Sequence, residues 1–156
     1  MSIKKIFSFS ILVLLSFILI SCNYSISRKK PTNLYYTNLL AKNLTLKNIS
    51  NAVVVETNFY KEKNIPLEDL ETIKAFATNL TKANFIDKPK DLPKKAVYKI
   101  LLTFNKDKYV INIYSDKYIS IFPWDGNYPM DYIDMENIQL SRNLYNLCKY
   151  IIEKQP

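Results

Sequence analysis

The chain has 156 residues, a formal net charge of +8, no histidine, one glycine and two cysteines. The length fits one folded domain. The missing histidine excludes Ser-His and Cys-His nucleophilic pairs and His-ligated metals; two cysteines exclude thiolate zinc and iron–sulfur sites within one chain, and one glycine excludes glycine-rich phosphate loops. Of the 22 basic residues only Arg28 and Arg142 are arginine, the residue best suited to bidentate base and phosphate contacts. The positive surplus therefore suits an anionic membrane or cell wall better than nucleic acid. No nucleic-acid partner, cofactor or metal is expected.

The first segment is the most specific. Lys4 and Lys5 precede an apolar run from Ile6 to Ile20, broken only by Ser8, Ser10 and Ser16. This is the pattern of a secretory signal. As a helix the run would reach about 22 Å, short of a ~30 Å hydrocarbon core. It ends in Leu19-Ile20-Ser21-Cys22, which resembles the lipobox of bacterial lipoproteins. That resemblance implies cleavage after residue 21 and a diacylglyceryl group on the Cys22 thiol. Two acyl chains hold a protein on a membrane stably where one does not. Residues 22–32, with Arg28, Lys29, Lys30 and Pro31, read as a polar linker. Residues 33–156 read as the single folded domain.

Within that domain, Leu34, Tyr35, Leu39, Leu40 and Leu44 predict a short helix over 33–46. Residues 52–60 are β-branched and aromatic and predict a strand. Residues 61–65 form a charged loop. Pro66 and the acidic residues after it start a helix over 67–82, with Leu67, Leu70, Ile73, Phe76, Ala77 and Leu80 inward. Pro89 and Pro93 make 87–95 irregular. Alternation then predicts three strands, at 97–104, 109–114 and 117–122, joined by short turns. Residues 123–135 form a long loop. A last helix over 137–153 carries Leu140, Leu144, Leu147, Cys148 and Ile151 on one side. Cys148 reads as a small buried hydrophobe. The predicted fold class is α+β: a four-stranded antiparallel sheet with two main helices packed on one face, plus a short N-terminal helix.

Carboxylates on and beside the long loop remain as candidates for chemistry. Asp125, Asp131, Asp134 and Glu136 offer carboxylates for calcium or for acid/base work, in no recognised calcium-loop spacing. The aromatics Phe122, Trp124, Tyr128 and Tyr132 surround Asp125 and Asn127. Exposed, this set can stack on a sugar ring or anchor a protein. Alternatively, and favoured here, Trp124 folds back to plug the sheet, because a bulky side chain contributes most when buried.

Several stretches carry a wider resemblance. The signal and lipobox join Asn-Phe-Tyr-Lys-Glu-Lys at 58–63, Tyr-Ser-Asp-Lys-Tyr-Ile-Ser at 114–120, Pro-Trp-Asp-Gly-Asn-Tyr at 123–128 and Leu-Tyr-Asn-Leu-Cys-Lys-Tyr at 144–150. Together they resemble a small family of clostridial lipoproteins of unknown function. The resemblance covers nearly the whole chain. It implies a lineage, a location on the extracytoplasmic face of the cell membrane and lipidation of Cys22, but no activity. The expected role is a non-enzymatic binding or interaction module with a cell-wall or protein partner. The alternative is a cell-wall-acting or metal-dependent hydrolase using carboxylates of 123–136.

Overall fold

The computed structural model of the protein describes residues 29–154. The signal segment 1–21, Cys22 and the linker up to Arg28 lie outside the described residues. Among those described, no helix is long and apolar enough to cross a membrane.

The element order is α1 (Tyr35–Leu46), β1 (Ile49–Glu56), β2 (Lys61–Asn64), α2 (Leu67–Asn79), a 3-10 turn (Lys82–Asn84), β3 (Phe85–Ile86), β4 (Tyr98–Phe104), β5 (Lys108–Ile113), β6 (Tyr118–Pro123), β7 (Asp131–Asp134), a second 3-10 turn (Leu140–Arg142) and α3 (Leu144–Glu153). The strands form one seven-stranded sheet in the order β2-β1-β4-β5-β6-β7-β3. Every pairing is antiparallel.

Alternating side chains explain the central strands. The register pairs Ile100 with Ile111 and Ile111 with Ile121, so one face is a continuous aliphatic layer. Helix residues Leu40, Ile73, Phe76, Leu144, Cys148 and Ile151 join that layer in a single core. At about 1.5–3 kcal/mol for each fully buried large aliphatic side chain, this layer dominates the favourable side of folding.

The expected four-stranded sheet with two main helices is overturned. Three strands escaped the sequence pattern, each for a physical reason. β2 reads Lys-Glu-Lys-Asn and is exposed except for half-buried Lys63; it is an edge strand hydrogen-bonded to β1, and edge strands tolerate and use charge. β3 has only two residues, too few to show a period. β7 reads Asp-Tyr-Ile-Asp, with Asp131 and Ile133 buried, so an acid occupies a core position and breaks the apolar alternation. The helices also differ from expectation: α1 has 12 residues, α2 has 13 and α3 has 10, so the first is no minor element.

Boundaries shifted as well. Residues 57–60 do not extend β1 but turn back into β2, with Tyr60 at φ 55°. The last helix begins only after Asn143, whose side chain accepts the Tyr145 N–H at 2.9 Å, and Leu140 and Leu67 stand exposed rather than inward.

Candidate functional site

The chain leaves β6 at Pro123 and returns in β7 at Asp131. The intervening segment closes one end of the sheet beside the β4–β5 hairpin, where the Trp124 N–H donates to the Lys108 carbonyl at 2.8 Å. Gly126 N–H donates to the Pro123 carbonyl at 3.1 Å, making Pro123–Gly126 a tight turn. Trp124 sits on that turn with 74% of its surface exposed. The favoured reading of Trp124 as a plug is therefore wrong: its ring covers no part of the core.

The turn is braced from beneath by α1. The Tyr36 ring is buried, at 3% exposure. Its hydroxyl accepts the Tyr128 N–H at 2.7 Å and donates to the Tyr128 carbonyl at 3.3 Å. A Cβ on Gly126 would come within 2.9 Å of the same hydroxyl. Gly126 has no positive φ, so the position needs the missing side chain, not backbone freedom. Tyr35 meets the Tyr128 ring edge-on, with centroids 5.5 Å apart. Burial pushes the Tyr36 phenol above its ordinary value, partly offset by the Tyr128 backbone bond.

Asp131 locks the same corner to the N-terminal side of the domain. It is fully buried. One carboxylate oxygen accepts the Thr37 N–H at 2.7 Å and the Thr37 hydroxyl at 2.8 Å. Thr37 lies in the first turn of α1, which lacks a side-chain cap of its own. A remote strand thus supplies the anionic cap that the helix end needs. The other oxygen pairs with Lys30, its only polar partner among the described residues. The Lys30 ammonium also lies 5.3 Å from the Tyr36 ring centroid. Lys30, read from sequence as part of a free spacer, is docked on the domain.

The aromatic set picked from sequence is split. Trp124, Asp125 and Asn127 are exposed on the corner, and Tyr128 backs them. Phe122 lies in β6 opposite Val110, on the sheet face away from the helices. Tyr132 lies in β7 opposite Ser120 on that same face, and burial raises its phenol pKa. Lys30, Tyr35 and Tyr36 belong to the corner and were missed, and Asp131, picked from sequence as a candidate carboxylate, braces the corner instead. The tandem tyrosines at the head of α1 were the available signal.

The acidic set does not converge. Asp125 is exposed on the turn, and Asp131 is sealed in the core. Asp134 accepts the Glu136 N–H at 2.8 Å. Glu136 pairs with Lys117 at 2.8 Å, which holds its carboxyl below the usual range. Among the described residues no group of three His, Cys, Asp or Glu side chains could hold a metal ion. A groove of about 410 Å³ between α2 and the second 3-10 turn is lined by Phe76, Leu80, Asn84, Asp134 and Arg142. The Asn84 amide already serves the fold there: its oxygen accepts from Thr81 at 2.9 Å and its nitrogen donates to the Asp134 carbonyl at 3.3 Å.

The arrangement is similar to a solved one. The crystal structure of a protein described as a candidate lipoprotein from Clostridium perfringens matches with a TM-score of 0.72 and 34% identity, over 81% of this chain and 100% of that one. No curated protein matches the chain. A family profile covers residues 30–148, from the docked lysine to the buried cysteine, and the chain belongs to that family, DUF4883, a domain of unknown function.

Proposed function

We propose that this protein is a lipid-anchored, extracytoplasmic interaction module that works without catalysis. In this reading residues 1–21 direct export, Cys22 carries the diacylglyceryl anchor, the chain between Cys22 and Lys30 forms a short tether, and the working domain begins at the docked Lys30 rather than at residue 33. The lipobox-like Leu19-Ile20-Ser21-Cys22 and the description of the Clostridium perfringens relative support the anchor. The contact surface is the corner of Trp124, Asp125 and Asn127, and its partner is a component of the cell envelope. One observation carries this choice: the only tryptophan in the chain is 74% exposed on a turn braced by buried Tyr36. A rigid, exposed aromatic is the typical anchor of a binding surface.

Two measurements test the reading. Mass spectrometry of the amino-terminal peptide from cells is expected to show a diacylglyceryl group on Cys22; an uncut or unmodified peptide would discard the anchor. With a photo-cross-linker placed at Asn127, Trp124→Ala is expected to abolish the adducts formed from this corner in intact cells, while the acylated protein stays on the membrane. The same variant should stay within about 0.5 kcal/mol of wild-type stability, as for an exposed side chain. Unchanged cross-linking would discard the surface.

A further inference from the structure

We infer that the envelope component met by the Trp124 corner is the anionic lipid surface itself: the tether exits beside this corner and holds it against the headgroups. The inference rests on the anchored reading above and adds an orientation to it.

The tether is short and its far end is fixed. From Cys22 to Lys30 the chain spans at most about 28 Å, and Lys30 is paired with buried Asp131 and stacked over Tyr36. The Tyr36 hydroxyl in turn holds Tyr128 and abuts Gly126, so the exit point and the Trp124 turn share one brace. Whatever lipid holds Cys22 therefore lies near this end of the sheet. The opposite end, with the exposed Phe59–Tyr60 turn, points away from the anchor.

The chemistry of the corner fits an interface. Tryptophan is enriched at the headgroup level, where its ring is half solvated and its N–H stays bonded. Lys108 directly neighbours Trp124 through the backbone bond; it is exposed, as are Lys106 in the β4–β5 turn and Lys29 next to the docked Lys30. The acids nearby are Asp125 in the same turn and Asp107, which Lys47 already pairs. Lysines within a Debye length of an anionic leaflet are attracted to it. A neutral glycan would be served by the aromatic ring but would gain no net Coulombic attraction from these lysines.

Because Trp124 is the sole tryptophan, its fluorescence reports this corner alone. The mature acylated protein is placed in phosphatidylglycerol vesicles, and the Cys22 modification is verified on the same sample by mass. The expected result is a blue-shifted Trp124 emission, quenched by lipids brominated in the upper acyl chain. Purely phosphatidylcholine vesicles should give weaker quenching. Acylated protein whose emission stays red and unquenched would overturn the orientation while leaving the anchor intact. Equal quenching in both lipids would overturn the role of the lysines. Emission that responds to soluble cell-wall fragments and not to vesicles would assign the corner to a glycan instead. An unacylated Cys22 would remove the anchor and this inference together.

Discussion

Asp131 is an acid in a loop-like, acidic stretch of sequence, yet it is the fully buried charge on which the corner turns. Its strand cannot move it to water, whereas Lys30, at 13% side-chain exposure, sits on a flexible stem at the rim. Truncating the lysine therefore strands a buried carboxylate, the costly way to break such a pair. Lys30→Ala is expected to lower stability by about 3 kcal/mol in urea denaturation, and adding Asp131→Asn should restore part of it. A double variant no more stable than Lys30→Ala would contradict the pair. At Gly126 the cost is steric. Gly126→Ala should destabilise by about 1–3 kcal/mol, because the Tyr36 hydroxyl and Pro123 leave no room. In a Tyr36→Phe background the added loss should shrink, since the nearest atom is gone. Additive losses would show that Pro123 alone sets the clash.

Elements show a second kind of hidden polar work. The β1–β2 turn is held by Glu56, whose carboxylate accepts the Phe59 N–H at 2.8 Å and the Asn58 N–H at 3.0 Å. The Phe59 bond is the larger cause holding this carboxyl below its ordinary value of 4.5. A lowered folded-state pKa stabilises above the ordinary value, and the contribution is lost as pH falls through the folded one. Glu56→Gln is therefore expected to flatten the acid limb of the stability–pH profile below about pH 4.5. An unchanged limb would remove Glu56 from the account. This turn also explains a misread boundary. Phe59 and Tyr60 have the composition of a strand, but a left-handed residue and a bonded carboxylate end β1 before them. Local composition reports what a segment tolerates and not where its ladder stops.

At the scale of the whole molecule, the core is one layer of helices on one face of one sheet, and Cys148 lies inside it with no exposed surface. Burial pushes its thiol well above the ordinary value, so neither access nor ionisation favours reaction. With Cys22 acylated, thiol labelling of the mature protein should be undetectable in the native state and appear only with global unfolding in urea. Fast labelling of the native protein would mean that α3 opens alone. Cys148 was legible in advance because it falls on the apolar side of a strongly periodic helix. The sequence by itself determined the elements whose apolar residues recur at a clear spacing: α2, most of α3, and the β4, β5 and β6 strands, with Ile111 and Ile113, and Ile119 and Ile121, two positions apart. It also carried the family resemblance. Only the tertiary structure decided the rest. It added β2, β3 and β7, which exist because a neighbouring strand offers unpaired backbone groups and which need no apolar pattern of their own. It also turned Trp124 outward and docked Lys30 on Asp131. Those placements depend on contacts between residues some 90 positions apart, and no local pattern can encode which distant partner will be there.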